Sequence, residues 1–195
     1  MKSHKKIYKI IFAISLLLLG SAMLNSQAMS IDDDRQFVQV SPDIKDKFLT
    51  QMREDLTHLN DILSAITDGD LAEVVRIAER RMGLANKRIE RMVQNGASDK
   101  EISLFIARIR KMVETEGVNL PNRLHGKRRG KGLGQFMPEE LRAMGQEMHK
   151  TAYHLADVAR DANNPPNAED YKKLFSAIND ITTQCKGCHD AFRVR

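Results

Sequence analysis

Cys185 and Cys188, the two cysteines of this 195-residue chain, fall within the stretch QCKGCHDAFRVR, with His189 directly after the second. Two thiols one helical turn apart can add to the two vinyl groups of one haem, and an imidazole in the next position can sit beneath its iron. The order Cys-x-x-Cys-His is the pattern of c-type haem attachment. Three other chemistries use the same atoms. A structural zinc ion takes four ligands, usually as two pairs, so His149 or His154 would have to complete the set. Copper(I) capture would combine the thiols with some of the ten methionines. A redox dithiol also uses Cys-x-x-Cys, but in a strand–helix–strand setting, and no strand-like alternation stands out here. A structural disulfide is the weakest reading, because a bridge across so few residues closes a very small loop and would stabilise the fold little.

The elements that must carry these residues follow a 3.6-residue apolar period. Phe48, Met52, Leu56, Leu59, Leu63 and Ile66 step by three or four and predict a first helix with one apolar face, closed by Gly69. Asp70 with Glu73 predicts the start of a second helix, whose stripe runs Leu71, Val74, Ala78, Met82, Ala85, Ile89, Met92. Ser98 with Glu101 opens an additional helix bearing Ile102, Phe105, Ile109 and Met112. Residues 117–136 read as a long loop rich in glycine and basic side chains. Pro138 suits the first turn of a third main helix with Leu141, Met144, Met148, Ala152 and Leu155 on its stripe. Asn167 with Asp170 opens the last helix, whose face is Tyr171, Leu174, Ile178, Ile181, Cys185 and Cys188. The cysteines thus continue a core-facing stripe, and His189 lies four residues past Cys185. The expected fold class is all-α: an antiparallel four-helix bundle with a helical and loop insertion at 84–135, between the second and third helices.

The N-terminal segment sets the compartment. Lys2, Lys5, Lys6 and Lys9 precede the apolar run IIFAISLLLLG and a small, polar stretch with Ser26-Gln27-Ala28 as the cleavage site. This is the layout of a secretory signal peptide, read here as residues 1–28; an uncleaved anchor is the alternative. The apolar run is short for a membrane-spanning helix, which needs about 20 residues. Residues 29–41 show no period and read as a flexible leader. The formal charge of +5 belongs largely to the signal, whose four lysines and absent acids leave +1 on the remainder. That balance removes the main support for nucleic-acid binding, and export places the chain in the periplasm.

The stretches CKGCHDAFR, MREDLTHLNDILSAITDGDLAEVVRIAE and FMPEELRAMGQEMHKTA together resemble the class II cytochromes c, the cytochrome c′ family, over residues 42–83 and 136–195. The resemblance implies a left-handed antiparallel bundle of four helices with one covalent haem c near the end of the last. It assigns Cys185 and Cys188 to the thioether bonds, His189 to the proximal axial position and Arg193 to the proximal side. The spacing of Arg193 four residues after His189 agrees with a shared helix face. In low-spin members the second axial ligand comes from the first helix, and Met52 within QMREDL matches it. The chain departs from the family at 84–135.

The sixth coordination position separates two functions. Histidine with methionine raises the reduction potential and suits single-electron transfer between periplasmic redox proteins. An open position would instead bind a small gas such as nitric oxide. Met52 is also an ordinary core filler by type. His58 lies about 120° around the helix from Met52, and His149 and His154 adjoin the third helix's stripe. Lys127, Arg128, Arg129 and Lys131, in a loop with His125, form either a solvated run or a docking site for an acidic partner. The family resemblance also allows a homodimer through the first two helices. No nucleophile–base pair is visible, so the expectation is an electron carrier and not an enzyme.

Overall fold

Helix ends follow the local chemistry of the sequence. In the computed structural model, which describes residues 33–116 and 132–195, six α-helices are present among the described residues. The segment 1–28 read as a signal, the first residues of the expected leader, and the stretch with His125, Lys127, Arg128, Arg129 and Lys131 lie outside them. Helix α1, Pro42–Thr67, starts with the preset φ of Pro42. It stops at Gly69, whose φ of +72° few other residues would accept. There the Asp70 N–H donates to the Ala65 carbonyl at 2.8 Å, satisfying an otherwise orphaned acceptor. Asp70 then accepts from the Glu73 N–H and caps α2, Leu71–Ile77.

A π-helical turn, Ala78–Met82, extends α2 and ends at Gly83. A side chain at Gly83 is excluded: its Cβ would lie 2.5 Å from the Glu79 carbonyl oxygen and 2.6 Å from the Tyr153 ring. Ala85 follows with φ +62°, and the chain turns into α3, Asn86–Gln94, and α4, Asp99–Glu116. The stripe expected to run unbroken from Leu71 to Met92 is therefore split. Val74, Ala78 and Met82 enter the main core, whereas Ile89 and Met92 join a second cluster with Leu84, Ile102, Ile106, Ile109 and Tyr153. Charged groups tie that cluster to the main core. Arg110 on α4 pairs with Glu79 at 2.9 Å and with Asp157, and its guanidinium lies 5.2 Å from the Tyr153 ring centre. The Tyr153 hydroxyl donates to the Leu84 carbonyl at 3.1 Å.

A short 3-10 turn, Leu133–Phe136, leads to α5, Glu139–Asp161, and then to α6, Ala168–Ala191. The Asn167–Asp170 capping box opens α6 with both reciprocal bonds formed. All the packing described lies within one unit, Arg35–Arg195. Its main core joins Ile62 and Ile66 of α1, Val74 and Ile77 of α2, Ala152, Leu155 and Ala156 of α5, and Leu174, Ile178 and Ile181 of α6. Helix α5 packs most extensively on α6, while α1 packs chiefly on α2 and the π turn.

Three expectations are corrected. The stripe of α1 is rotated: Phe48 and Ile66 are buried, but Met52 is 40% exposed, Leu56 68% and Leu63 38%. The true inward register is set by Ile62, Ala65 and Ile66, and Met52 lies about 80° around the helix from Ile62. The flexible leader is in part a strand. Strand β1, Gln36–Val38, pairs in parallel with β2, Phe192–Val194, burying Val38. Finally, α6 ends at Ala191, and Phe192 is extended with φ −131° and ψ 149°. Arg193 thus sits in β2 opposite Phe37, and the helical spacing that linked it to His189 does not hold.

Candidate cofactor site

Helix α6 changes character along its length. Leu174, Ile178 and Ile181 are buried, Cys185 and Cys188 are half-buried free thiols, and His189 is exposed. Cys185 packs on the edge of the main core. The chain is held beyond the cysteines by backbone bonds, with Phe192 N–H donating to the Cys188 carbonyl and Arg35 Nη1 to that of His189 at 3.4 Å.

Burial raises the Cys185 thiol above its usual range, and the carboxylate of Asp55 adds to the effect. Cys188 is raised by burial and then by Cys185. Thiols held protonated in this way are poor nucleophiles and poor metal ligands compared with a dithiol centre at a helix N-terminus. Among the described residues no group of three or more His, Cys, Asp or Glu side chains is placed to hold a metal ion.

Facing the cysteines, α1 presents polar side chains where its inward register should be apolar. Asp55 is seven residues before Ile62 and shares its direction. Its carboxylate accepts from Gln51 Nε2 at 3.0 Å, and burial raises its pKa against the opposing pull of Gln51, His149 and His58. His58 Nδ1 is buried with no hydrogen-bond partner among the described residues, and burial followed by Arg81 lowers its pKa. From α5, His149 Nδ1 donates to the Met82 carbonyl at 2.5 Å. That bond fixes the tautomer and uses an acceptor at the end of the π turn, a feature common near functional sites.

Space is also found here. Gly145, seven residues before the fully buried Ala152, lies on the same face of α5. A Cβ at Gly145 would meet no described atom within 4 Å, whereas one at Gly187 would stand 3.3 Å from the Met144 methyl. The approach of Met144 to Gly187 sets the level of α5 against α6. A separate recess, lined by Gly69, Leu71, Val75, Ala159 and Asn164, belongs to the other end of α6. Asp170 and Cys185 are separated by about 22 Å of helix at about 1.5 Å per residue.

These residues fit a covalently attached haem in donor order and in burial. The donor set has the required order, Cys185 lies half-buried at the rim of the apolar core with Cys188 half-buried one turn on, and the flexible side chains of Met144 and Met148 stand on the facing helix. Of the expected site residues, Cys185, Cys188 and His189 share the end of α6, Met52 lies on the outer flank of α1, and Arg193 lies in β2. Asp55 and Gly145 were not foreseen, and His149 was weighed only as a partner for the thiols in a zinc site or as a neighbour of the third helix's stripe. For Asp55 the sequence did hold a signal: an acid in the Ile62 register. For His149 it held none, because its partner is a distant carbonyl.

No protein-family model matches the chain, and no curated protein or solved structure matches it either. What fold and site define together is an all-α chain with a Cys-x-x-Cys-His segment at the half-open end of its last main helix.

Proposed function

We propose that this chain is an exported c-type cytochrome that carries one covalent haem c and passes single electrons between proteins of the periplasm. The observation that carries the reading is the Cys185–Cys188–His189 segment near the C-terminal end of α6, with both thiols half-buried and His189 exposed. When bound, the haem supplies a one-electron iron couple. In this reading α1, α2 with its π turn, α5 and α6 form the antiparallel four-helix bundle of the class II cytochromes c, and α3 and α4 are its insertion. Cys185 and Cys188 hold the porphyrin edge, and His189 supplies the proximal nitrogen. Met52 is the second axial donor, delivered from the flank of α1. Arg193 is retained as a proximal-side cation, held by β2 and not by helical spacing. Leu49, Leu56 and Leu63, exposed on α1, offer a face for a second copy of the chain. The chain is a carrier and not an enzyme, and its low net charge without the signal gives nucleic acid no foothold.

A second reading is favoured by one specific observation. Met52 is 40% exposed and turned toward the flank. With Met52 withheld the iron would be five-coordinate and open to a gas such as nitric oxide. Haem-free zinc or copper binding by the thiols is the third reading, and their raised pKa values weigh against it. Visible spectra of the protein, made in a host that attaches haem, test the choice. Low-spin spectra that turn high-spin in Met52→Ala support electron transfer with methionine ligation. Ferrous wild-type protein that is high-spin and takes up carbon monoxide at once supports the gas-binding reading instead.

A further inference from the structure

Asp55 is a carboxylate in a core register. It stands on the inward line of α1 with Ile62, close enough to Cys185 to raise that thiol, and it is hydrogen-bonded to Gln51. The charged and titratable groups that act on it come from each neighbouring element: Glu54 and His58 on α1, His149 on α5 and Cys185 on α6. Arg81, on the π turn, acts on His58. A structural acid would be expected to pair with Arg or Lys, as Glu79 does with Arg110 and Arg160. Among the described residues Asp55 has no such cation, only two imidazoles and an amide.

We propose, building on the haem reading above, that Asp55 is a proton acceptor coupled to electron transfer. As the site gains one electron from a reduced donor protein, ferric iron becomes ferrous and the Asp55 carboxylate takes one proton from water to become the acid. Both leave on reoxidation. No other bond forms or breaks. The physical reason is charge balance in a partly desolvated place: an added negative charge near a half-buried carboxylate raises the cost of its ionised form, and protonation removes that cost. Burial already biases Asp55 toward the neutral acid, so the added charge needs to shift it only part of the way.

The test is the midpoint potential of the haem-loaded protein against pH, for wild type and Asp55→Asn. In wild type the potential should fall as pH rises, approaching about 59 mV per tenfold change in proton activity between the pKa values of the oxidised and reduced forms. Asp55→Asn should abolish that slope and hold the potential at its higher, acid-side level. A slope that survives in Asp55→Asn, or a wild-type potential independent of pH, overturns the proposal. If Asp55→Asn does not accumulate, infrared difference spectra of wild type decide. Reduction should create a protonated-carboxyl band that shifts in heavy water, and its absence overturns the proposal. Wild-type protein without bound haem would overturn the haem reading itself, an outcome distinct from any of these.

Discussion

The two ends of α6 are built on different terms. At its start, Asp170 is buried and fully engaged, accepting from the Asn163 and Asn167 N–H groups and from Asn163 Nδ2 at 2.8 Å, while Leu174 behind it is completely buried. At its end, fifteen residues further on, Cys185, Gly187 and Cys188 are only half covered, and the facing helices offer Asp55, Met144, Gly145 and His149. Polar groups at the first end are satisfied by their neighbours. At the second, His58 Nδ1 has no partner among the described residues, and a Cβ at Gly145 would meet no described atom within 4 Å. In the haem reading, the closed start anchors α6 and the less covered end carries the porphyrin.

That contrast can be broken by mutation. Ile181→Ala, at the boundary of the closed part, removes a fully buried side chain and should cost about 2–5 kcal/mol by urea unfolding of haem-free protein. Cys188→Ala in the same protein should cost much less. Equal losses would mean that the two ends are packed alike. Asn167→Ala deletes the cap that accepts from the Glu169 and Asp170 N–H groups and should cost about 1 kcal/mol. No change there would show that the start of α6 is held by packing alone. The smallest effect should have the opposite sign. Gly145→Ala has room for its methyl group and should stabilise the haem-free protein by about 0.5–1 kcal/mol, because helix-interior glycine carries excess backbone entropy in the unfolded chain. Destabilisation would mean that the space beside Gly145 is filled.

Local chemistry was legible in the sequence, and long-range chemistry was not. Gly69, the Ser98–Glu101 pair and the Asn167–Asp170 box mark real helix ends because each motif closes its bonds within a few residues. The break at Gly83 escaped because its cause is the ring of Tyr153, seventy positions away in sequence. Strand β1 escaped for the same reason, since its partner is the segment after α6. The stripe of α1 was misjudged by one flank. Leu49, Leu56 and Leu63 repeat at seven residues and look like a seam, while the inward line carries Gln51, Asp55 and His58 at its open end. Apolar periodicity points to the core only where the core is apolar. The helical spacing that agrees with the family assignment of Arg193 assumes a helix that continues two residues too far. Cys185, Cys188 and His189 come together on α6 because they lie within five positions of one another in sequence.

The central claim is that Cys185 and Cys188 carry a porphyrin on the open end of α6. The intact mass of protein secreted from a host competent to attach haem tests it most directly, with a double Cys185→Ala, Cys188→Ala variant alongside. The mass of one haem added to wild type, surviving denaturation and missing from the variant, is the predicted result. Wild-type protein of unmodified mass from that host would contradict the account.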